Sequence, residues 1–132
     1  MNKKLKGLSL FSNVGVAEAY LDSIGIDVVL ANEIDEKRAK FYKHLYPNTE
    51  MILGDITNKE IFNEIIKKSK EIEIDFIIAT PPCQGMSLAG KMDPTDERNH
   101  LITYAIEIIK ILKPKFVFLE NVPQQLKTTI RY

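Results

Sequence analysis

The order of apolar and amphipathic segments predicts an α/β protein built on a doubly wound parallel sheet. Three observations lead there. Five short apolar runs have the length of strands: Leu8–Phe11, Val28–Ala31, Met51–Leu53, Ile74–Ile78 and Phe116–Leu119. Helical-period segments alternate with them, the pattern of right-handed parallel crossovers. Finally, the polar residues suited to chemistry all follow directly after a run: Asn13 and Gly15, Glu33, Asp55, Cys83 and Glu120. One edge of one sheet therefore collects them, as open α/β sheets do at the carboxyl ends of their strands.

The first run ends in Ser12-Asn13-Val14-Gly15. Val16, Tyr20, Leu21 and Ile24 then recur at helical spacing, and Gly25 supplies a stop, so a helix is expected here. Amides in such a strand–turn–helix unit favour a ligand with a negatively charged group. The G-x-G-x-x-G signature is absent, because Asn13 and Val16 stand where glycines are expected. A plain βα turn is an equal reading of the motif taken alone. After the second run comes Glu33, 18 positions past Gly15, where such folds bind ribose hydroxyls. Asp35 reads as the N-cap of a helix ending at Tyr46, before Pro47. The third run is followed by Gly54-Asp55-Ile56-Thr57; Thr57 and Glu60 fit a capping box for a helix with Ile61, Phe62, Ile65 and Ile66 on its apolar face. Asp55 is then either a turn aspartate or part of a site, and its register with Glu33 and Cys83 favours the site.

The fourth run leads into Ala79-Thr80-Pro81-Pro82-Cys83-Gln84-Gly85-Met86-Ser87. Two prolines fix φ and keep this loop extended, so the single thiol is presented at a strand end. A lone cysteine is often a small buried hydrophobe, but Pro-Pro before it and Gln-Gly after it argue against a core position. Residues 89–99 are polar, and a segment this long in a compact domain is usually functional or mobile. An apolar helix from about His100 to Leu112 precedes Pro114, and the fifth run ends in Glu120-Asn121-Val122. A thiolate is a strong nucleophile once its electrophile is held close. Glu120, on the neighbouring strand, would in protonated form hydrogen-bond a ring nitrogen and draw electrons from the carbon under attack. The bland reading of Glu120 is a structural acid bonded to loop amides.

A chain of 132 residues supports one domain. Lys plus Arg and Asp plus Glu both number 18, and a domain that alone gripped a nucleic-acid backbone should be basic. One cysteine excludes an internal disulfide and fits a reducing compartment. No run approaches the ~18 apolar residues of a membrane span, and no secretory signal opens the chain, so a cytoplasmic protein is expected. No metal is called for.

Pro81-Pro82-Cys83-Gln84-Gly85 together with Glu120-Asn121-Val122 closely resembles the cytosine-C5 DNA methyltransferase family. The resemblance runs from about Leu8 to Val122. It implies a Rossmann-like sheet of the S-adenosylmethionine-dependent methyltransferase type, cut off after about five strands. By the same resemblance, Cys83 adds to C6 of a cytosine flipped from the duplex, and Glu120 contacts the ring at N3 and the amino group. Flipping costs a few kcal/mol, which protein–DNA contacts supply. The implied cofactor contacts are Phe11 stacking on adenine, Gly15, Glu33 on the ribose hydroxyls, Asp55 and Ile56 at adenine, and Pro82 between cofactor and target base.

Two departures stand out. The family's opening motif usually reads Phe-x-Gly-x-Gly-Gly, and here it is Phe11-Ser12-Asn13-Val14-Gly15-Val16. Asn13 tolerates a left-handed turn, whereas Val16 adds bulk, which is expected to weaken cofactor binding. The family's later parts, including the target-recognition domain and final helix, lie beyond this pattern. Residues 1–132 are thus expected to be a partial catalytic domain, a truncated piece or one subunit of a split enzyme, which acts on double-stranded DNA through a complementary chain or self-associates along the fifth strand. Competing readings are a tRNA cytosine methyltransferase with the same motifs and a non-catalytic subunit. A dinucleotide oxidoreductase explains Glu33 but leaves Cys83 and Glu120 idle.

Overall fold

The computed structural model describes residues 4–82 and 100–120. Its chain order is β1 (Leu5–Leu10), a 3-10 turn (Asp22–Ile24), β2 (Ile26–Glu33), α1 (Glu36–Leu45), β3 (Glu50–Leu53), α2 (Lys59–Ile72), β4 (Phe76–Ala79), α3 (Leu101–Leu112) and β5 (Phe116–Leu119). The strands form one five-stranded sheet in the order β3-β2-β1-β4-β5, and every pairing is parallel. Strand order reverses between β1 and β4, which opens a crevice at their carboxyl ends. The predicted α/β class, doubly wound topology and β4–β5 adjacency are all present.

The main core lies where α2 and α3 cover the sheet. Leu8, Leu10, Leu30, Ile52 and Ile77 from the strands meet Ile65 of α2 and Ala105 and Ile108 of α3. Most of the side chains with no exposed area sit here, as helices with a broad apolar stripe require. A second, smaller cluster is thinner: Ile26, Phe76 and Ile78 are buried and, among the described residues, have only the apolar Leu5 and Leu21 packed against them.

That thin cover reflects the one element the periodicity misassigned. Residues 16–25 do not form an α-helix. Their backbone bonds span three residues, Ala19 N–H to the Val16 carbonyl, Leu21 to Glu18 and Ile24 to Leu21, the winding of successive tight turns. Val16, Tyr20 and Ile24 of the expected stripe are exposed. The side chains that turn inward are Glu18 and Leu21, three apart, which suits a three-residue winding rather than a 3.6-residue one. Gly25 does act as the stop, at φ 90 with its N–H on the Asp22 carbonyl. A smaller correction concerns α2. Its N-cap is Asn58, whose Oδ1 accepts from Glu60 and Ile61, and not Thr57. Asp55 captures the Thr57 hydroxyl and N–H, both at 2.8 Å, so the cap moves one residue along.

Candidate active site

The site begins with a turn that the chain can make only by entering the left-handed region three times in five residues. Phe11 (φ 56), Asn13 (φ 53) and Gly15 (φ 86) do so. Glycine enters freely and asparagine with little penalty, but a phenylalanine there is strained by about 1–2 kcal/mol. Neighbours hold it: the Ser12 N–H reaches the Asn32 carbonyl at 3.1 Å, and the Thr80 hydroxyl donates to the Phe11 carbonyl at 3.2 Å. Gly15 has no room for a side chain, because a Cβ would lie 2.3 Å from the Tyr46 ring, whose hydroxyl donates to the Gly15 carbonyl at 2.6 Å. Asn13 preserves the turn as its residue type predicts.

Glu33 ties this turn to the next element. It is only 6% exposed at the end of β2. One carboxylate oxygen accepts the Asn13 N–H at 2.9 Å and the other accepts the Asp35 N–H at 2.8 Å. Each oxygen retains a second lone pair for a ligand. Asp35, and not Glu33, is the N-cap of α1, accepting from the Arg38 N–H at 3.0 Å. Asn32 fixes the third loop, with its amide donating to the carbonyls of Ile52 at 2.8 Å and Gly54 at 3.1 Å. Asp55 is a turn aspartate for Thr57, accepting its hydroxyl, and it also lines a cavity.

These loops enclose a cavity of about 250 Å³ at the carboxyl edge of the sheet. Phe11, Glu33, Asp55, Ile56 and Pro82 line it together, so five of the six proposed cofactor residues meet in one place. Gly15 lies behind the turn against Tyr42 and Tyr46. Val16 is 78% exposed and does not line the cavity, so its bulk does not enter the space. Six lining residues escaped the sequence reading: Asn32, Ile34, Arg38, Gly54, Thr80 and Leu101. Asn32 and Ile34 flank Glu33, and Thr80 precedes the proline pair, so adjacency was their signal. Leu101, at the start of α3, has none, since only the fold brings it across. Among the described residues, no cluster of three His, Cys, Asp or Glu side chains could hold a metal ion.

Cys83 lies outside the described residues, as do Asn121 and Val122. It follows Pro82 directly in sequence. Glu120 stands exposed at the end of β5, its N–H on the Ala79 carbonyl at 3.1 Å. It lines a separate, apolar groove with Ala17, Leu21 and Phe118.

The family model for C-5 cytosine-specific DNA methylase matches residues 5–131, nearly the whole chain. The chain belongs to the C-5 cytosine-specific DNA methylase family. Among this methylase chain's relatives is the type II methyltransferase M1.HgaI of Avibacterium volantium, 48% identical over 96% of this chain and 37% of that protein. Another, the type II methyltransferase M1.HphI of Haemophilus parahaemolyticus, is 32% identical over 87% of this chain and 32% of its own length. A mutant form of DNMT2 from Spodoptera frugiperda superposes with a TM-score of 0.69 at 27% identity, covering 97% of this chain and 38% of that one. The methylase chain thus spans about two fifths or less of these relatives' lengths, and its fold is the Rossmann-like methyltransferase fold.

Proposed function

We propose that this chain is the catalytic, cofactor-binding portion of a DNA (cytosine-5-)-methyltransferase of a restriction–modification system. One observation carries the reading: Phe11, Glu33, Asp55, Ile56 and Pro82 converge on a single cavity, and its wall runs directly into Cys83 in sequence. The cavity suits S-adenosylmethionine. It offers an aromatic face at Phe11, a buried carboxylate with spare lone pairs at Glu33, and a carboxylate beside an apolar wall at Asp55 and Ile56. When bound, S-adenosylmethionine would supply an electrophilic methyl group for C5 of the target base.

The chain's own residues do the rest. The Cys83 thiolate adds to C6 of an extruded cytosine, and the ring electrons move towards C5 and N3. Glu120 holds the proton at N3 that accepts this charge. Loss of the C5 proton to a base then expels the thiolate and restores the ring. With zero formal net charge, the chain leaves most of the grip on double-stranded DNA to other parts. The exposed β5 edge is the surface along which a further segment or chain pairs.

Calorimetry with S-adenosylhomocysteine tests the cofactor part on the chain alone. Saturable binding that Glu33→Gln weakens about tenfold is expected, since a charge-assisted bond would be lost. No heat and no thermal shift in the parent would favour a non-catalytic subunit. Duplexes bearing 5-fluorocytosine test the chemistry in the assembled enzyme: wild type forms a covalent adduct and Cys83→Ser does not. Equal adduct from the serine variant refutes the nucleophile. Trapping on tRNA but not on duplex DNA would reassign the substrate.

A further inference from the structure

Asn13 stands where the family pattern has a glycine, and tolerance of a left-handed turn explains only that it is allowed. Its main chain serves that role, with φ 53 and its N–H on the Glu33 carboxylate at 2.9 Å. The residue is nevertheless exposed and lines the cavity beside Glu33. No hydrogen bond among the described residues uses its carboxamide. A glycine would present bare backbone at this point.

The chemistry of the neighbour gives that carboxamide a task. An ionised Glu33 is an acceptor only, and each of its oxygens already takes one backbone N–H. It can receive protons from a vicinal diol but cannot satisfy the hydroxyl oxygens. A carboxamide brings two donors and an acceptor to the same wall. We propose that Asn13 is a ligand-contact residue which, paired with Glu33, makes this cavity selective for the ribose diol of its nucleoside cofactor. This rests on the S-adenosylmethionine reading above and goes beyond it, because a glycine could make no such contact.

Glycine is also the control. At φ 53 it is at least as relaxed as asparagine, so a purely conformational role predicts that Asn13→Gly binds as tightly as the parent or tighter. Asn13→Asp keeps the size and the tolerance for the turn but replaces the donor with a charge repelling Glu33. The full chain and both variants are titrated with S-adenosylhomocysteine and with 5′-methylthioadenosine, which retains the ribose but lacks the amino-acid end, while thermal unfolding confirms that each is folded. The contact predicts dissociation constants about threefold to tenfold higher for Asn13→Gly with both compounds, the worth of one net hydrogen bond, and higher still for Asn13→Asp. Unchanged or tighter binding by Asn13→Gly overturns the proposal. So does a loss seen with S-adenosylhomocysteine alone, which would put the contact at the amino-acid end. If the parent binds neither compound, the cofactor reading itself falls and takes this inference with it.

Discussion

Glu18 is the residue whose environment is most costly. Only 4% exposed, it lies beside the hydroxyls of Ser9 and Tyr42, yet among the described residues neither carboxylate oxygen has a hydrogen-bond partner of good geometry. Burial pushes its carboxyl above the usual 4.5, and burial together with the Glu18 charge pushes the Tyr42 hydroxyl up. The Tyr46 hydroxyl, which holds Gly15, is raised by the same two causes. A carboxyl whose folded-state value is raised contributes stability that is fully present below its unfolded value and lost as pH rises through the folded one. The parent is therefore expected to lose stability from about pH 4 to about pH 8 relative to Glu18→Gln. Thermal or urea unfolding at both pH values measures the difference. The glutamine variant should be more stable at the higher pH by on the order of 1 kcal/mol and nearly equal at the lower. A parent as stable as the variant at both would show that the carboxylate finds a partner. Sequence reading passed over Glu18, because in a helical stripe of Val16, Tyr20, Leu21 and Ile24 it falls on the solvent side.

At the scale of the element, helix starts test how finely local chemistry reads out. Asp35 was legible as the cap of α1, and among the described residues its carboxylate accepts only the Arg38 N–H. Thr57 was equally plausible as the cap of α2, but its hydroxyl is taken by Asp55, and Asn58 caps instead. Asn58→Ala should cost about 1 kcal/mol in unfolding free energy. Thr57→Ala should cost less in stability but loosen the Asp55 loop, and with it cofactor binding. If denaturant titration gave Thr57→Ala the larger loss, the cap would belong to Thr57 after all. The turn segment after Gly15 shows the same limit in stronger form. Its apolar spacing was helical, yet a stripe becomes a helix only when something buries it. Here the inward positions are Glu18 and Leu21.

For the whole molecule, the decisive feature is uneven cover. The α2–α3 side is packed, whereas β5 at the sheet edge leaves Phe116, Val117 and Phe118 exposed at 56%, 43% and 51%. Among the described residues its backbone pairs only with β4. An apolar, uncharged edge strand is a template for pairing with another chain. Sedimentation should show self-association of the parent at high micromolar concentration, reduced by Val117→Lys, whose charge opposes edge pairing. Identical monomeric behaviour of the two would mean that the edge is protected in solution.

Strand identity, the adjacency of β4 and β5 and the collection of Asn13, Glu33, Asp55 and Glu120 at strand ends were set by the sequence alone. They depend on local signals: apolar runs too short for helices, punctuating Gly and Pro, and the handedness of parallel crossovers. The motif around Cys83 and Glu120 also read directly as the family's. What only tertiary structure decided depends on which surfaces meet. It placed Leu101 and Arg38 in the cavity wall, moved a helix cap by one residue, and put Glu18 inside and Val16 outside. Local sequence states what a segment can do, but competition for partners across the fold selects what it does. A carboxylate, a hydroxyl or an apolar stripe takes its role from the neighbour that reaches it.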